Sequence, residues 1–161
     1  MPNRIVIFLA LPLILTLSSR LLAAEDPEVQ NLRYISTLRV VVESLTPDAR
    51  QAGITEEMVK GQIASFFKDS LPQITLNGDG PSLYLRIVLH KRKDEDLYYG
   101  MIGLSVDRPV MVLSSRGEFP AWSQVWGKNM VFSGKDPVMA TFEIIFKLLS
   151  LLSEDFKKAN P

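Results

Sequence analysis

Hydrophobic and polar positions alternate with a period of two over several stretches of the chain and with a helical period over two others. Leu38, Val40 and Val42 alternate with Arg39 and Glu43 in a β-branched run that predicts a strand, and Val41 makes its second face partly apolar. Leu45-Thr46-Pro47-Asp48 reads as a turn. Gly53 permits a tight entry to a helix with Thr55 as N-cap and Glu56 and Glu57 complementing the positive end of its dipole. Val59, Ile63, Phe66 or Phe67 and Ser70 or Leu71 then recur at helical spacing, and Pro72 predicts an end at Leu71 because the residue before proline is pushed out of the helical region.

Gln73 to Leu76 suits a short strand, and Asn77-Gly78-Asp79-Gly80-Pro81 is the strongest turn signal in the chain. Leu83, Leu85, Ile87 and Leu89 alternate with Tyr84, Arg86, Val88 and His90 in the clearest strand. A charged link, His90 to Asp96, leads to Tyr98, Gly100, Ile102, Leu104 and Val106, so the two runs predict a hairpin. Pro109 predicts a bend, bulge or edge position over Val110 to Leu113. Ser114 to Pro120 reads as a loop and Ala121 to Phe132 as the last strand. The final helix carries Asp136 as cap, Pro137 in its first turn and Lys157 and Lys158 near its negative end. Its seam is Val138, Phe142, Ile145, Leu149, Leu152 and Phe156, broadened by Met139, Ile144, Phe146, Leu148 and Leu151.

The order β-α-β-β-β-β-α predicts an α+β two-layer sandwich: a largely antiparallel sheet of four to five strands with two helices on one face. Residues 38–161 are read as a single domain and residues 25–37 as a flexible leader. Ahead of them, Arg4, an apolar run of about 13 residues from Ile5 to Leu17 and Ala23-Ala24 before Glu25-Asp26 have the outline of a signal peptide, residues 1–24. The run is shorter than the roughly 20 residues of a membrane-spanning helix. A retained anchor is the competing reading, since Leu22 is bulky near the cut and Arg20 interrupts the approach. The expected location is the bacterial periplasm or the exterior, with no integral membrane span once the signal is removed.

Composition narrows the chemistry. The chain has 161 residues, no cysteine and balanced charge, 18 basic against 18 acidic, which argues against a nucleic-acid partner and excludes thiol catalysis and thiolate metal sites. His90 is the only histidine, so one chain cannot build a catalytic triad or a multi-histidine metal site, and a solvated strand end is its expected place. Asp94-Glu95-Asp96 lacks the spacing of a calcium loop and reads with Lys91-Arg92-Lys93 as a self-neutralising hairpin tip. Glu43, Asp79, Asp107 and Glu118 could supply paired carboxylates but sit in no motif; Ser114, Ser115 and Ser123 lack a partner base; the glycines form no phosphate-cradling loop. Catalytic, cofactor and metal residues are therefore expected to be none. Trp122 and Trp126, four apart on one predicted strand, are expected on one face, as core or as a ligand-gripping surface.

Gly53-Ile54-Thr55, Leu83-Tyr84-Leu85, Leu104 to Val106 with Arg108-Pro109-Val110, Trp122 or Trp126, and Asp155-Phe156 before Ala159-Asn160-Pro161 resemble a group of small exported bacterial proteins without an assigned role. The resemblance covers nearly all of the mature chain. It implies a periplasmic location and a fold similar to the outer-membrane lipopolysaccharide-assembly lipoprotein or the N-terminal domain of the periplasmic Tol protein. It brings no functional residues, and the missing lipid-anchor cysteine departs from the lipoprotein pattern. The expected function is non-enzymatic binding or scaffolding of another envelope protein or of a second copy, through a sheet edge near Pro109 to Leu113 or the surplus apolar face of the last helix. The alternative is a carrier of a lipid or aromatic ligand in a cavity between sheet and helices lined by the tryptophans.

Overall fold

The fold follows from three strands that alternate cleanly and two helices whose apolar stripes they cover. In the computed structural model, which describes residues 26–161, the elements run α1 (Pro27–Gln30), β1 (Thr37–Val42), α2 (Pro47–Gln51), α3 (Glu56–Ser70), β2 (Thr75–Leu76), β3 (Ser82–Lys91), β4 (Tyr98–Ser114), β5 (Gly117–Gly134) and α4 (Pro137–Ala159). The segment read as a signal peptide lies outside the described residues.

The strands form one mixed sheet in the order β2-β1-β3-β4-β5. β1 is parallel to β2 and β3, whereas β3, β4 and β5 form an antiparallel meander. The parallel pairing follows from the crossover through α2 and α3, because a strand that returns beside its predecessor after a helical layer runs the same way. Leu83, Leu85, Ile87, Leu89, Ile102, Leu104, Val106 and Trp126 are buried together with Val59, Ile63 and Phe67 of α3 and Ile145, Leu148, Leu149, Leu152 and Phe156 of α4. Both long helices therefore cover one face of the sheet. The α+β two-layer reading holds, and the other face is open to solvent.

Capping went as the residue types dictate. Thr55 accepts from the Met58 amide at 3.2 Å and Asp136 from the Met139 amide at 2.9 Å. Gly53 takes φ +87 between α2 and α3, a backbone conformation that glycine adopts without penalty.

Four local expectations are corrected. The segment expected as a flexible leader, residues 25–37, is instead packed from Asp26 onward: Asp26 caps the helical turn α1, and Leu32 and Ile35 are buried in the core. Asn160 at the far end of the chain holds this segment, accepting from the Tyr34 amide at 3.2 Å and donating to the Leu32 carbonyl at 3.4 Å. The turn at Leu45 to Asp48 continues into the short helix α2, with Pro47 in its first turn, where the missing N–H costs nothing. Ser114 to Pro120 is not a loop: Ser115 and Arg116 make a two-residue turn with Gly117 at φ +114, and β5 starts there. The seam of α4 also takes in Thr141 and Ser153, both buried, while Val138 and Phe142 are only half-buried.

The fifth difference concerns the tryptophans. Val106 pairs with Trp126 but Asp107 pairs with Gln124, so Val125 is an extra residue and the ladder bulges there. One added residue reverses the alternation. Trp126 therefore points under the helices, 1% exposed, while Trp122 lies on the opposite face, 58% exposed. The two cannot line one cavity between sheet and helices.

Candidate binding surfaces

Two surfaces emerge from this topology, one at the end of the β4–β5 ribbon and one on the open face of the sheet. β3 pairs with β4 only as far as Ser82 opposite Asp107. Beyond that row β4 and β5 continue as a two-stranded arm, residues 108–123, closed by the Ser115-Arg116 turn. Pro109 to Leu113 accordingly has β5 on one side and no strand on the other, the edge position that Pro109 suggested.

The arm is apolar on both faces. Pro109, Met111, Leu113, Pro120 and Trp122 share the open-face parity, and Val110, Val112, Phe119 and Ala121 share the other. Met111 is 58% exposed, Leu113 74% and Phe119 49%. Isolated two-stranded ribbons are marginal in water, and this one is anchored at its base. There the Arg108 guanidinium donates to the Asn31 carbonyl at 3.1 Å, and that of Arg39 lies 5.7 Å from the Trp122 ring centre.

The open face presents its residues in rows across the ladders. Arg39, Ser82, Asp107 and Gln124 form one row, Val41, Tyr84, Ser105 and Gly127 the next, and Arg86, Gly103 and Asn129 a third. A groove of about 290 Å³ runs over this area. Its concavity comes from the two glycines. A Cβ on Gly103 would stand 2.2 Å from Asn129 Oδ1, and one on Gly127 would stand 2.3 Å from Gln124 Nε2, so each amide lies down over a missing side chain. Arg86 Nε meets Glu43 Oε2 at 3.1 Å. Burial first, and then its hydrogen bond with Glu43, push the Tyr84 phenol above its ordinary value. Ser105 donates to Asp107 at 3.1 Å, and Arg39 to Ser82 Oγ at 3.0 Å.

Elsewhere the charged candidates are held in local pairs. At the β3–β4 tip Lys91 meets Asp96 and Arg92 meets Glu95, each at 3.3 Å, as the mixed-sign run predicted. His90 sits at that end of the sheet with its ring 5.6 Å from that of Tyr99. Glu43, Asp79, Asp107 and Glu118 fall at the end of β1, in the β2–β3 turn, at the bulge and near the arm tip. Asp79 is engaged through its carbonyl, which accepts from Thr37. Ser114 and Ser123 donate to backbone carbonyls of Gly117 and Gln124. Among the described residues no group of three or more histidine, aspartate or glutamate side chains could hold a metal ion. Among them, too, no helix is long and apolar enough to cross a membrane.

On the helix side of β5, Lys128 bonds Glu28 of α1 at 2.9 Å, and that bond raises its pKa against a smaller effect of burial. Lys128, the bulge and Pro120 also break up the outer edge of β5, which would otherwise template another strand. The surplus apolar face expected on α4 is smaller than its sequence suggests. Ile144 and Leu148 are buried, and Phe146, 53% exposed, stacks edge-on against Phe66 at 5.5 Å.

The arm was half legible, through Pro109 and the two apolar runs flanking Ser114-Ser115-Arg116-Gly117. The open-face groove was not. Gln124 and Asn129 meet Gly127 and Gly103 only through a register that the bulge sets, and no spacing in the chain announces it.

No protein-family model and no curated protein matches this chain. Among solved structures it is similar to a minor lipoprotein from Acinetobacter baumannii, at 10% identity and a TM-score of 0.31, over 76% of this chain and 90% of that one.

Proposed function

We propose that this protein acts by binding rather than catalysis, as a component of the bacterial envelope that engages another envelope protein through the β4–β5 arm. The observation that carries this reading is the arm itself: a ribbon apolar on both faces, with Met111, Leu113, Phe119 and Trp122 about half exposed or more. Single exposed apolar residues are ordinary, but contiguous ones projecting from a scaffold mark a contact surface. The free edge of β4 over residues 108–114 adds backbone donors and acceptors to which a partner strand can pair. The outline of a signal peptide in residues 1–24 supports the location. The paired charges and the single, solvent-facing histidine support a role without chemistry.

The test replaces Met111, Leu113, Phe119 and Trp122 with serine in the full chain and compares chemical crosslinking in intact cells. The expected outcome is a discrete adduct with the natural sequence that the fourfold variant loses, at an unchanged melting temperature. An adduct that persists in the variant contradicts the proposal. An adduct of twice the chain mass assigns the arm to a second copy instead.

A further inference from the structure

We propose that the groove on the open face is a second binding site, distinct from the tip of the arm, and that it takes an uncharged oligosaccharide. Four observations carry this. First, β4 is paired on both sides over residues 98–107, with β3 and with β5, so a ligand lying over the middle of the face must be recognised by side chains and not by strand addition. Second, the side-chain amides of Gln124 and Asn129 have no hydrogen-bond partner among the described residues, although Gly127 and Gly103 make room for them to lie along the floor. Each amide offers a carbonyl acceptor and an N–H donor side by side, the pattern that neighbouring sugar hydroxyls complement.

Third, the charges lining the groove are already paired. Arg86 is engaged by Glu43 and Lys128 by Glu28. An ionised ligand would find no unpaired counter-charge there, and a neutral one is not penalised. Fourth, Trp122 stands on the same face as Gln124 and two residues along β5, more than half exposed. Arg39 lies over one face of its ring, and the rest is a platform for the apolar face of a sugar that extends beyond the groove. The volume, 290 Å³, is near the roughly 300 Å³ at which small-ligand sites begin, room for a short saccharide only.

Isothermal titration calorimetry of the full chain with chitotetraose, maltotetraose and cellotetraose tests this, with tetragalacturonate as the charged comparison. The expected result is saturable binding of at least one neutral tetrasaccharide with a dissociation constant below about 1 mM. Gln124→Ala and Asn129→Ala should each weaken it about tenfold, and Gly103→Val, which displaces the Asn129 amide, should abolish it. Val131→Ala, on the same face but outside the groove, should leave affinity unchanged. The arm-tip variant Leu113→Ser should bind sugar normally, which separates this site from the arm. The proposal is overturned if none of the three neutral probes binds, if tetragalacturonate binds more tightly than all of them, or if the Gln124→Ala/Asn129→Ala double variant retains full affinity.

Discussion

At the residue scale, two buried polar groups illustrate opposite outcomes. The Trp126 indole N–H donates to Asp155 at 3.0 Å, and Lys158 donates to the same carboxylate at 3.0 Å. Burial works to raise the Asp155 pKa, but these two donors outweigh it and hold the carboxyl below its ordinary value of 3.8. A group whose pKa is depressed by folding stabilises the folded state above its unfolded value and stops doing so as the pH falls through the folded one. Trp126→Phe removes the donor, so its melting temperature should lie furthest below the natural protein's near pH 7. The gap should narrow as the pH falls below 3.8 and through the depressed value of the folded carboxyl, until Asp155 is protonated in both and only a packing difference is left. Thr141, fully buried on α4, shows the other outcome: its hydroxyl has no partner among the described residues. Thr141→Val keeps the shape and removes an unpaired polar atom, and should raise stability by about 1 kcal/mol in urea unfolding.

At the element scale, local rules account for the long elements and fail where register decides. Asp136 accepts from the Met139 amide, so Asp136→Ala should cost about 1 kcal/mol, read by thermal unfolding. Leu149, fully buried on α4, should cost about 3 kcal/mol when cut to alanine, whereas Leu113→Ala on the arm should shift stability by less than about 0.5 kcal/mol. β3, β4, α3 and α4 were legible because period-two runs, caps and prolines are local signals. The bulge at Val125 was not, because an extra residue in a strand has meaning only against its partner, and the tryptophans were placed on one face for that reason. The same ignorance of register hid the meeting of Asn129 with Gly103 and of Gln124 with Gly127. The helical turn α1 was missed because Leu32 and Ile35 are too few to show a period, and only the distant Asn160 reveals what holds the segment.

At the scale of the whole molecule, the two helices on one face leave the other face free, and the unequal strand lengths leave the arm beyond the sheet. A sheet covered on both sides would have hidden Gln124 and Asn129, and a β4 that ended with β3 at Asp107 would have carried no ribbon. The arm and the groove therefore both lie on surfaces the helices do not cover, with the charged β3–β4 tip at the opposite end of β4 from the arm. The most direct test places a photoreactive amino acid singly at Leu113 and at Phe119 on the arm, and at Lys93 on the far tip, in the full chain within intact cells. One protein adduct is expected from both arm positions and none from Lys93. Adducts from Lys93 alone, or no adduct from either arm position, would contradict it.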